Sequence, residues 1–253
     1  MAILLRMTPF LAALLEALIF WYQRDYPSLY PWLIVSGMVI FVFVSLVLSW
    51  GRLELKNMLE KMMPVFLLLL SLSFGLLLVE SAAERLIMTF LVAASSFVAL
   101  DLLFLLSYRP ASYPVNGLSH LNIAFIPVIS WYAMSTSAGL MTFLHSNRLW
   151  HVLLGMILGV ILFRVTGHPG ATRTQNSVWT LVGGLTGLEV GLMGLILPVS
   201  LNMQGLLAAI FFTATLRARR YLYDPKPPRR LAISEAIVVL ILFSASLLTA
   251  RWL

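Results

Sequence analysis

The chain predicts an all-α fold, a polytopic transmembrane helical bundle of about nine spans, on three observations. Hydrophobic residues make up 60% of its 253 residues. Mean hydropathy is +0.95, which places the chain in the membrane class. Nine apolar segments fill nearly all of it, most of them close to the ~20 helical residues that cross about 30 Å of hydrocarbon. They cover approximately residues 3–22, 30–50, 63–79, 86–106, 121–143, 149–165, 178–199, 201–216 and 231–248. Helices are required because lipid offers no partner to unpaired backbone groups, and the segments are too long and uniformly apolar for barrel strands. No hydrophilic stretch exceeds about fifteen residues, so residues 1–253 read as a single transmembrane domain with no soluble domain.

The first span is preceded by Arg6 and followed by Phe20, Trp21, Tyr22 and Arg24 where a cleavage site needs small residues, so it reads as an uncleaved anchor. The second begins at Tyr30 and Trp32 and ends at Trp50, aromatics that suit the two membrane interfaces. The third opens beside Pro64, and the fourth carries Asp101 well inside. In the fifth, Pro127 removes a backbone hydrogen bond and favours a kink. Asn122, Ser130, Ser135, Thr136 and Ser137 either line a cavity there or satisfy backbone carbonyls and neighbouring helices. The sixth contains Gly155 and Gly159.

Gly183, Gly187 and Gly191 of the seventh span repeat at i, i+4, i+8, which lines one helix face and admits another backbone closely. Gly155 and Gly159 offer a complementary small surface. Glu189 projects nearly opposite, so this helix is expected to be central and enclosed by protein on both sides. The eighth span is short, with Pro198, Ser200, Asn202 and Gln204 about its start. It crosses, or it re-enters and returns. Re-entry would strand six basic residues between 217 and 230 on the outer side, against the charge rule. The ninth span has no lysine to form a Schiff base, which argues against a retinal protein.

The net charge of +7 sits in short loops, which points to membrane topology and not to nucleic acid. With the N-terminus inside, thirteen Lys and Arg lie inside and four, Arg24, Arg85, Arg148 and Arg251, lie outside. The expected orientation is N-in and C-out, as an integral multi-pass protein of a prokaryotic cytoplasmic membrane. Zero cysteines exclude disulfides, thiolate nucleophiles and cysteine-bound metals or clusters.

Intramembrane acids carry the strongest functional signal. Ionised groups deep in the bilayer are expensive and by default mark a pathway, a pairing or a ligand site. By depth, Asp101 falls in the inner half, Glu189 near the middle and Glu16 in the outer half. No Lys or Arg lies at comparable central depth, so protons or a bound cation must neutralise them. They read as a proton or cation relay, or as three separate protonated acids bonded to neighbours. Arg164 is a candidate partner for Asp101. A second candidate site gathers Arg109, His120, Asn122, Arg164, His168 and Arg173 on the inner side, where arginine forks and backbone donors suit a lipid phosphate or another anion. The structural alternative is an ordinary positive-inside loop, since no Walker or dinucleotide spacing is present.

Enzyme signatures are missing. His120 and His168 fall inside, His145 and His151 in an outer loop, and no pair has metal-ligand spacing. No catalytic residue, metal or cofactor is assigned. The sequence supports a proton- or cation-coupled permease or channel-like protein resting on Glu16, Asp101 and Glu189. The alternative is a non-catalytic membrane subunit or scaffold, and a lipid-modifying enzyme is third. Expected partners are membrane lipids and other membrane subunits or further copies of the chain.

Overall fold

A computed structural model describes residues 2–166, 172–223 and 229–250. Among these the chain is predominantly helical, and nine α-helices follow the nine expected spans in order. They are α1 (Ala2–Gln23), α2 (Tyr30–Ser49), α3 (Leu55–Gly75), α4 (Ala82–Tyr108), α5 (Gly117–Phe143), α6 (Arg148–Val165), α7 (Arg173–Ile196), α8 (Leu201–Tyr223) and α9 (Arg229–Thr249). Among the described residues seven of them, α1 to α7, are long and apolar enough to cross a membrane. The protein is an integral, multi-pass membrane protein.

Local chemistry sets the helix ends. Ser81 caps α4 by accepting from the Glu84 backbone N–H, and Asn147 caps α6 by accepting from that of Leu149. Thr172 and Gln175 form a reciprocal capping box at the start of α7. After α2 the chain reverses at Gly51, whose φ of +68° is one that residues with a Cβ rarely adopt. Several helices overrun the apolar segments that announced them, α3 and α8 by the most. α3 begins at Leu55 because residues 55–62 are amphipathic, with Met58 and Met62 buried. α8 continues to Tyr223 because arginines are good helix formers.

The helices pack as two compact units, Met1–Phe125 and Ile126–Leu253, with the boundary inside α5. In the first, α1 packs on α4 and α2, and α2 also meets α3 and α4. One end of this unit joins the α1–α2 turn to the α3–α4 turn: Arg24 donates to the Glu80 carbonyl, and Arg85 forks onto Asp25 at 2.7 and 2.9 Å. The other end joins the starts of α3 and α5, where the Asn122 amide donates to the Lys61 carbonyl at 2.9 Å. Arg52 there lies over the Tyr108 ring. Basic residues expected outside and inside thus separate to opposite ends of this unit.

In the second unit, α6 against α7 is the most extensive helix pair, with α8 on α7 and α9 on α8. Gln204, near the start of α8, meets Gly194, near the end of α7. At the opposite end Arg219 of α8 donates to the Thr166 carbonyl and the Asn176 side chain. α8 therefore runs the length of α7 in the reverse direction and is not re-entrant. Arg217 pairs with Glu235 of α9 at 3.6 Å.

Candidate functional site

The best-defined polar site within the helices is built around Glu16. Helix α1 places Glu16 and Gln23 seven residues apart, hence on one face. Both are buried, at 4% and 2% exposure. Opposite them, α2 supplies Gly37. A Cβ there would stand 3.1 Å from Glu16 Oε2, so the missing side chain makes the room the carboxyl occupies. Helix α3 supplies Ser73, whose hydroxyl oxygen accepts from Gln23 Nε2 at 3.4 Å and whose carbonyl accepts from the Tyr30 hydroxyl. Val92 of α4 closes the fourth wall.

The four helices leave a small cavity with room for about one water molecule. Glu16 Oε1 and Gln23 Oε1 are buried with no hydrogen-bond partner among the described residues, and no basic side chain lines the cavity. Two unsatisfied oxygens with no counter-charge require a donor: a proton on the carboxyl, a water molecule, or a cation.

Neither of the other two acids lines the Glu16 cavity. Asp101 is half-buried in α4 of the same unit, nine residues beyond Val92, which is about 13 Å along the helix, and it does not line the Glu16 cavity. Glu189 belongs to the second unit and is exposed. This corrects the expectation that protein encloses α7 on both sides. Its second face is a stripe of exposed Leu181, Leu185, Leu192 and Ile196 with Glu189 among them. Arg164 and Asp101 belong to different units.

The glycine face of α7 meets α6 backbone to backbone. A Cβ at Gly183 would fall 2.6 Å from the Gly159 carbonyl oxygen, one at Gly187 2.6 Å from the Gly155 carbonyl carbon, and one at Gly191 2.7 Å from Val152 Cα. No side chain fits at any of them without moving a helix.

The residues of the expected inner-side cluster are divided between the two units. Arg109 and His120 are exposed in the first unit, and Asn122 there is buried with its amide donor used on Lys61. Arg164 and Arg173 are exposed in the second unit, and His168 lies outside the described residues. Sequence reasoning placed Arg219 in a loop. It is instead a buried α8 residue, 4% exposed, that ties the end of α6 to the start of α7 and lies over the Trp179 ring. His151 was expected in an outer loop and is instead buried within α6. The signal that locates it is its spacing of four from Gly155, which sets it on the face that packs against α7. Gln23 and Ser73 were not singled out, and Tyr30 was read only as an interfacial anchor, because a polar residue near a span end reads as interfacial.

No family model, curated protein or solved structure matches the chain.

Proposed function

We propose that the protein is a small proton- or cation-coupled permease or channel-like protein in which Glu16 is the coupling group. The observation that carries this reading is a carboxyl buried among four helices, beside a space for about one water, with one oxygen unpartnered and no basic residue lining the cavity among the described residues. A group so placed changes its charge only by exchanging a proton or a cation with that space. The narrowness of the cavity suits a proton or a small ion better than an organic solute. Asp101 and Glu189 remain candidate stations of the same pathway, each needing its own water link, because proton transfer requires hydrogen-bond reach. The thirteen-to-four asymmetry of basic residues favours an N-in orientation in a prokaryotic cytoplasmic membrane.

Liposomes containing the purified full chain and a pH-sensitive dye test the reading. An imposed proton or cation gradient drives flux through the unmodified protein, and Glu16→Gln, which mimics the protonated acid, abolishes it while the helical spectrum is unchanged. Flux unaffected by Glu16→Gln removes Glu16 from the role.

A second reading, a membrane subunit or scaffold, is favoured by Glu189 on its exposed apolar stripe. A carboxyl facing hydrocarbon is stabilised by a partner helix or another copy of the chain that supplies a hydrogen-bond donor. Absence of flux under every imposed gradient moves the assignment to this reading.

A further inference from the structure

A second cavity lies within the second unit, bounded by Met134 of α5, His151 of α6, Met193 and Gly194 of α7, and Gln204 and Phe211 of α8. It too has room for about one water. His151 is 1% exposed. Its Nδ1 lies 3.0 Å from Ser137 Oγ, and its Nε2 has no partner among the described residues. The Gln204 amide donates to the Val199 carbonyl at 3.4 Å, and its buried Oε1 is likewise without a partner. Both unpartnered atoms border the bare Cα of Gly194. A Cβ there would collide with His151 Nε2 and stand 3.1 Å from Gln204 Oε1. Among the described residues no Asp, Glu, Lys or Arg of α5, α7 or α8 lines the cavity.

A neutral imidazole that donates from Nδ1 to Ser137 turns a lone pair at Nε2 toward the lone pairs of Gln204 Oε1. Two acceptors need a donor between them, which a water molecule supplies. An imidazolium supplies it directly, since both ring nitrogens then donate, one to Ser137 and one toward Gln204. Burial without a counter-charge disfavours the cation, while charge-assisted bonds to two acceptors favour it. The opposition leaves the ring able to gain and lose a proton.

We propose that Ser137, His151 and Gln204 form a proton-binding site in which His151 Nε2 takes a proton from a hydronium ion, leaving a neutral water molecule against Gly194. The positive charge passes from hydronium to imidazolium, and no other bond changes. The site lies in the other unit from Glu16 and stands whether or not Glu16 couples flux.

The test is nitrogen NMR of the full chain in lipid nanodiscs with histidine ring nitrogens labelled. The chain has four histidines, and His151→Gln assigns the signal of interest. The expected result is a neutral ring protonated on Nδ1 that converts reversibly to the doubly protonated form on acidification. Gln204→Leu, which keeps the volume and removes the acceptor, is expected to weaken proton binding about tenfold. A wild-type ring fixed with its proton on Nε2, bonded directly to Gln204 and unresponsive to acid, overturns the proposal without reliance on any variant. So does a titration midpoint that Gln204→Leu leaves unmoved.

Discussion

Asp25 and Arg85 join the two turns at one end of the first unit. The guanidinium also donates to the Trp21 carbonyl and lies over that residue's ring at 4.1 Å. Its hydrogen bonds to Asp25 hold that carboxyl below its ordinary value of 3.8. A carboxylate lowered in the folded state stabilises the fold above its unfolded value and loses that contribution as pH falls through the folded one. Asp25→Asn is therefore expected to lower the melting temperature modestly at neutral pH and to reduce the loss of stability on acidification below about pH 4. Thermal melts of the two proteins across pH check this; parallel curves contradict it. At this scale the sequence discloses acids better than their surroundings. Glu16 stands out as a charge in an apolar run, but nothing in that run shows that Gly37 leaves room for it. That fact depends on which helix lies opposite. His151 was hidden for the same reason, because a histidine near a span end looks solvated until its neighbours are known.

At the scale of elements, the α6–α7 interface depends on the absence of side chains at four glycines, Gly155, Gly159, Gly183 and Gly187. Their period of four was readable directly, because helical geometry converts it into a continuous face. Gly187→Leu is expected to destabilise the chain by about 3 kcal/mol or more, since the added side chain meets Gly155 backbone and not flexible atoms. Leu185→Ala, on the exposed face of the same helix, is expected to change stability by less than about 0.5 kcal/mol. Comparing the two in a chemical-denaturation series in detergent checks the assignment, and equal losses contradict it. Helix ends were less legible than helix faces. The first turns of α3 and the last of α8 carry charges that lower local hydropathy, yet they stay helical because their apolar residues keep helical spacing or their charged ones are good helix formers.

For the whole molecule, an N-in chain whose nine helices cross alternately is expected to hold Arg220 inside and its C-terminus outside. The chain has no cysteine, so single cysteines can be introduced without background. A cysteine at Arg220 is expected to resist an impermeant reagent added outside intact cells, and one appended at the C-terminus to react; labelling at Arg220 contradicts the topology. The division between two units falls near Pro127 of α5, and no shift in composition along the sequence marks it, because both sides of the boundary are equally apolar. What the whole chain does turns on whether the carboxyl enclosed by its first unit exchanges charge. Infrared difference spectroscopy of the full chain in lipid, wild type minus Glu16→Gln, measures this most directly. The account predicts a protonated-carboxyl band from Glu16 that shifts in deuterium oxide and gives way to a carboxylate band when pH is raised or a coupling cation is added. A Glu16 carboxyl whose bands respond to neither solvent exchange, pH nor cations would contradict it.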